Sequence, residues 1–124
     1  MGNISFEYDE RRNIVFTVDQ WEISSNEDVD EFFDRCEEYF KPIGKKFYMV
    51  SRIDGLRVYG DVSDYYAERA RKVFGTYMLG FARWGTDTWG RMTVRTTSFK
   101  ADILANIFDT REEAIAAIEK KAQA

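Results

Sequence analysis

Hydrophobic positions along the chain change period several times, and each change marks an element. Ile4, Phe6 and Tyr8 alternate with polar residues, the twofold period of a half-buried strand. The polar run Asp9-Glu10-Arg11-Arg12-Asn13 separates them from Ile14-Val15-Phe16-Thr17-Val18, a β-branched and aromatic stretch, so the two segments predict a hairpin. Ser25-Asn26-Glu27-Asp28 has the composition of a helix start. Val29, Phe32, Phe33, Cys36, Tyr39 and Phe40 then recur at helical spacing, and Pro42-Ile43-Gly44 ends that helix. Lys46 to Ile53 reads as a central strand leading to a turn at Asp54-Gly55. Val62, Tyr65, Tyr66, Arg69, Ala70 and Val73 predict a second helix, with Asp61 or Ser63 as its cap and Gly75 closing it. Residues 76–83 form the next strand candidate.

Residues 87–104 support two readings. Thr93-Val94-Arg95-Thr96-Thr97 favours a strand by propensity. Trp89, Met92, Thr93, Thr96, Lys100 and Ile103 instead fit a helical stripe, with Asp87 as a cap. Helix is preferred because it continues the alternation of strands and helices. Asn106-Ile107-Phe108 is then a short last strand, and Thr110-Arg111-Glu112-Glu113 is a capping box. It opens a final helix whose inner face is Ala114, Ile115, Ile118 and Ala122. The order β-β-α-β-α-β-α-β-α predicts an α/β fold: a layered, mixed and mostly parallel sheet of about five strands, with an N-terminal β-hairpin and about four helices. No linker or repeat interrupts the sequence, so one domain is expected over residues 1–124.

Composition removes much of catalysis. The chain has no histidine, which takes away the commonest general base at neutral pH and the commonest metal ligand. Its single cysteine, Cys36, falls on the apolar stripe of the first helix and reads as a buried, unreactive thiol. Neither a zinc site nor an intramolecular disulfide can be built from it. No cofactor motif is present: Gly55-x-x-x-x-Gly60 is followed by Asp61, which does not make a phosphate-binding loop. There is no secretory leader, no myristoylation signal and no apolar run long enough for a membrane span, so a cytoplasmic location is expected.

Charge is unevenly placed. Residues 19–38 carry nine acids against Arg35 alone, and residues 69–100 carry seven bases against Asp87 alone. Two solvated helix faces account for this, as does a polar molecule that docks a partner or a second copy of itself; a homodimer is compatible with it. The net charge of −4 argues against nucleic acid as the partner.

Ile107-Phe108-Asp109-Thr110-Arg111-Glu112-Glu113-Ala114-Ile115, together with the opening hairpin and the acidic first helix, resembles the STAS domain superfamily in its SpoIIAA-like branch. The resemblance implies a small, non-catalytic bacterial regulatory module of the anti-sigma factor antagonist kind. Its implied partner is a protein such as a regulatory kinase or an anti-sigma-like factor. In that family a serine at the head of the second main helix is phosphorylated. The matching position here is Ser63, within Asp61-Val62-Ser63-Asp64, where the family's glycine is missing. Some members bind apolar or lipid-like ligands between helices and sheet, so a small apolar or anionic ligand is the alternative.

In a parallel α/β sheet, ligands and partners meet the carboxyl ends of the strands. Arg52, Asp54, Arg83, Trp84, Asp87, Trp89 and Arg91 are expected there as a binding or interaction surface, since Arg and Trp are the types enriched at binding hot spots. An internal Arg–Asp cluster with buried indole rings is the competing reading. Tyr65, Tyr66 and Tyr77 are expected in the core. An enzyme using carboxylates and arginines ranks last, because no spacing fixes a catalytic pair.

Overall fold

The computed structural model describes residues 2–124. Five strands, β1 (Asn3–Asp9), β2 (Ile14–Ile23), β3 (Phe47–Val58), β4 (Met78–Trp84) and β5 (Ile107–Phe108), form one sheet in sequential order. β1 and β2 pair antiparallel, and every later pairing is parallel. Four helices alternate with the strands: α1 (Asn26–Phe40), α2 (Ser63–Tyr77), α3 (Thr88–Ala101) and α4 (Arg111–Ala122). The expected α/β architecture with a mixed five-stranded sheet is present.

The strand alternation sorts side chains into two cores. Val15, Met49, Ile53 and Leu56 face α1, α2 and α3, where they meet Phe33, Phe40, Tyr66 and Val94. Ile14, Val50 and Ala82 face the other way, against Ala114, Ile115 and Ile118 of α4. The aromatic residues fill the first layer in edge and tilted pairs, such as Phe32 with Phe33 and Phe40 with Phe47.

Local signals explain most boundaries. Ser25 accepts from the Asp28 N–H and caps α1. Asp87 accepts from the Gly90 N–H and caps α3. Thr110 and Glu113 form the reciprocal capping box of α4.

Several expectations need correction. The dipeptide Asp54-Gly55 is no turn: β3 runs through it to Val58, because β2 also runs on to Ile23 and supplies a partner, with a register shift between Val18 and Gln20. Gly55 lies opposite Gln20, where a Cβ would stand 3.0 Å from the Gln20 Cα, so any larger residue would have to push the neighbouring strand back by a few tenths of an ångström. α2 continues past Gly75 to Tyr77, and neither Asp61 nor Ser63 caps it by a side chain.

Residues 88–101 are helical, but the phase differs from the expected stripe. Gly90, Thr93, Val94, Thr97, Ser98 and Ala101 face inward. A Cβ at Gly90 would stand 2.4 Å from the Ile53 carbonyl oxygen, so α3 packs directly on the β3 backbone. At Gly90 nothing larger fits at that distance.

Candidate functional site

The carboxyl ends of β3 and β4 do gather the expected charged and aromatic residues, and Asp54 is their hub. Its Oδ1 accepts from the Thr86 and Asp87 N–H groups at 3.0 and 3.1 Å, and its Oδ2 pairs with the Arg52 Nε at 3.0 Å. Burial works against the Asp54 charge. The Asp87 N–H, Arg52 and the Thr86 N–H outweigh it and hold the carboxyl below its usual range. Gly85 must be glycine here: its φ is +147°, and a Cβ would fall 2.4 Å from Asp54 Oδ1.

The remaining charges at this end are also paired. Arg52 lies over the Trp84 ring at 5.1 Å. Arg57 joins Asp87 at 2.8 Å and covers the Trp89 ring at 4.9 Å. Arg91 donates to the Gly85 carbonyl at 2.7 Å and pairs with Asp109. These arginines brace the loop after β4, so the network is a rigid frame more than an open anion clamp.

Arg83 is not part of that surface. It is buried, pointing from β4 into the main core, where Nη1 donates to Ser98 Oγ, the Leu104 carbonyl and the Ala105 carbonyl. A side chain near the end of β4, on the face that α3 covers, has nowhere else to go.

The exposed large apolar residues start at this end and continue along α3 and beyond it. On α3, Trp89 is 44% exposed, Met92 56% and Phe99 86%, and Leu104 beyond the helix is 71% exposed. Tyr59, just after β3, meets Trp89 edge-on at 6.2 Å between centroids. Trp89, Met92 and Phe99 recur at helical spacing and form an outward ridge flanked by Arg95 and Lys100. Of these ridge residues, only Trp89 is among those that residue type assigned to the binding surface. Met92 and Phe99 become legible as surface residues only once the small-residue stripe of α3 is taken as the inner face.

A second polar feature lies inside the main core. A cavity of about 30 Å³ between the sheet and the first three helices is lined by Thr17, Asp19, Cys36, Ser51, Tyr66 and Arg83, among apolar side chains. Asp19 and Arg83 are each 7% exposed. Burial raises the Asp19 carboxyl from 3.8 to about 6, opposed by the Thr17 hydroxyl and by Arg83. Burial lowers the Arg83 guanidinium to about 10, leaving it charged at neutral pH. Burial also pushes the Cys36 thiol and the Tyr66 hydroxyl up, so both stay protonated. Cys36 is thus the buried thiol its position predicted. Asp19 is missing from the expected site residues, although Val15, Thr17, Asp19 and Trp21 alternate onto one face.

Of the other tyrosines expected in the core, Tyr65 and Tyr77 are only partly buried and give their hydroxyls to Asp30 and Glu37 of α1. Arg69 of α2 pairs with Asp30, Asp34 and Glu37 at 2.7, 3.2 and 3.3 Å. Part of the acid–base complementarity along the chain is therefore met between α1 and α2 of one molecule. Ser63 is buried at the head of α2, donating to the Gly60 carbonyl at 3.0 Å and accepting from Lys100.

Among the described residues there is no cluster of three or more Cys, Asp or Glu placed to hold a metal ion, and no helix is long and apolar enough to cross a membrane. The chain matches no protein-family model, and no curated protein matches it in sequence.

Proposed function

We propose that the protein is a non-catalytic regulatory module that acts by binding a protein partner in the cytoplasm, and that it is related to the STAS domains of the SpoIIAA-like branch. The element order, the sequential strand arrangement and the capped C-terminal helix support the kinship. The outward ridge of Trp89, Met92 and Phe99 carries the binding reading. A helix that turns its small residues inward and three large apolar ones outward leaves surface that water solvates poorly and a partner covers well. Arg91 of α3 is paired with Asp109 and Lys100 with Asp64, whereas Arg95 is exposed and meets no acid among the described residues, so the partner's facing surface offers an acid for Arg95 beside an apolar centre. Regulation runs through this contact and not through Ser63, whose buried hydroxyl is engaged on both sides.

The alternative, a lipid-like ligand held between helices and sheet, finds about 30 Å³ there. Pockets for such ligands span roughly 300–1,000 Å³. A catalytic role fares no better, because the carboxylates at the strand ends are tied to arginines and backbone N–H groups.

Affinity capture from the source cells, with the wild-type chain and a Met92→Glu/Phe99→Glu variant side by side, tests the proposal. The wild type should retain a specific partner that the variant releases, with affinity at least about tenfold weaker, or ~1.4 kcal/mol. Identical partner sets on both baits, or only small molecules co-purifying, would overturn it. Matching melting curves keep the comparison clean.

A further inference from the structure

Asp19 and Arg83 pose a problem that the docking surface leaves untouched. Both are more than nine-tenths buried and of opposite charge, and both line one cavity. Yet no nitrogen of Arg83 comes within 4.0 Å of an oxygen of Asp19. A buried ion pair normally closes to direct contact, because separated charges in a core lose their solvation without gaining each other's attraction.

The hydrogen bonds are incomplete in a patterned way. Asp19 Oδ1 accepts from Thr17 Oγ1 at 3.0 Å, and Thr17 Oγ1 lies 2.7 Å from Ser51 Oγ. Arg83 uses Nη1 alone. Among the described residues, Asp19 Oδ2, Arg83 Nε, Arg83 Nη2 and the Tyr66 hydroxyl have no protein partner. None of them is sealed in by protein either: the indole N–H of Trp21 is the one side-chain polar atom so enclosed without a partner. The free acceptor, the free donors and the hydroxyl belong to three residues that line the same space.

We infer that the cavity is a binding site for water, and that its water bridges the Asp19 carboxylate to the Arg83 guanidinium, with the Tyr66 hydroxyl as a further partner. A water needs roughly 10–15 Å³ and two to four polar partners. The 30 Å³ here accommodates about two molecules, and the side chains offer an acceptor on β2, donors on β4 and a hydroxyl on α2. Water is the ligand class that fits: it donates to the carboxylate and accepts from the guanidinium within that volume, where any larger zwitterion is excluded. The charged groups facing Asp19 are Arg83 from β4 and, uncharged, Tyr66 from α2 and Cys36 from α1. The bridge also ties β2 to the segment around α3, because Arg83 holds Ser98, Leu104 and Ala105.

A crystal structure of the wild-type chain, at a resolution that orders internal solvent, tests this directly. Water density within hydrogen-bond distance of Asp19 Oδ2 and Arg83 is the expected result. A dry cavity, or Arg83 swung into direct contact with Asp19, overturns it. In solution, water oxygen-17 magnetic relaxation dispersion counts long-lived internal molecules. An Asp19→Leu/Arg83→Met variant, which leaves neither charge alone, should lose about one or two of them, and an unchanged count refutes the site. Tyr66→Phe, which keeps the ring, provides a milder check. It should shorten the water residence time severalfold, and an unaltered time counts against the bridge as drawn.

Discussion

Replacing Asp19 by Asn should make the protein more stable at neutral pH, contrary to the usual effect of removing a native carboxylate. In the folded state burial raises the carboxyl from 3.8 to about 6. The folded chain therefore holds a proton that the unfolded chain has released across that interval, and stability falls as pH rises through it. The interval is about 2.2 pH units, and at 1.36 kcal/mol per unit the charged form of Asp19 costs the fold about 3 kcal/mol above pH 6. The residue is 7% exposed, so solvent screening takes little away. The amide preserves size and can still accept from Thr17, but it carries no charge. Urea unfolding followed by tryptophan fluorescence, at steps from pH 4 to pH 8, gives the difference between variant and wild type. Titrations shared by both chains cancel in that difference. It should be near zero at pH 4 and rise to about 3 kcal/mol in favour of the Asp19→Asn variant by pH 7. A difference that stays flat, or that turns against the variant as pH rises, would show that Asp19 is stabilised as an anion and refute the reasoning.

Two further substitutions test the packing that places the candidate surface. Gly90→Ala favours the helix by propensity, yet its Cβ would press on the Ile53 carbonyl at 2.4 Å; a net loss of about 1–3 kcal/mol is expected in thermal or urea unfolding. Asp54→Ala removes the acceptor shared by the Thr86 and Asp87 N–H groups, so faster amide hydrogen exchange at residues 85–88 should accompany a loss of about 1–3 kcal/mol. Because the Asp54 carboxyl is held low, its share of stability is present above the ordinary carboxylate range and is lost as pH falls through the lowered value, the reverse of Asp19.

The elements of the fold were legible where a period or a cap fixed them. Ser25, Asp87 and the Thr110–Glu113 box each mark a helix start found in the structure. Misreadings occurred where one local signal had two physical uses. Asp-Gly is the strongest short turn signal. In β3 the same pair serves a close strand approach at Gly55 and a carboxylate hub at Asp54. In α3 the large apolar residues suggested the inner face, but the helix approaches the β3 backbone so closely at Gly90 that its first turn admits no larger residue there, and that distance is a tertiary fact. Asp19 follows directly on the apolar run Ile14–Val18, and charged residues seldom lie inside a core. The alternation Val15, Thr17, Asp19, Trp21 nevertheless carried it inward. Arg83 was singled out for the right residue type and placed on the wrong side of the sheet wall. Strand alternation groups it with Phe81, yet nothing in the sequence says which face the first three helices cover.

The buried polar group and the apolar ridge meet in one short segment. Ser98 turns inward to Arg83, while its neighbour Phe99 points out to solvent. Arg83 also holds the carbonyls of Leu104 and Ala105, directly around the other strongly exposed apolar residue. At the opposite end of the ridge, Trp89 lies under Arg57, which is pinned to Asp87, the cap of α3. The most exposed apolar side chains are thus mounted on backbone fixed by buried or half-buried arginines. Binding costs less when the contact residues are already ordered in the free protein, because each mobile side chain or loop must otherwise be immobilised at about 0.5–1.5 kcal/mol. A chance exposure of Phe99 and Leu104 would need no such support, and a core under no outside demand would have no reason to retain a costly buried Asp–Arg pair beneath them. The arrangement is coherent if the interior charges serve to hold the ridge in place for a partner, and this links the buried site to the function proposed for the surface.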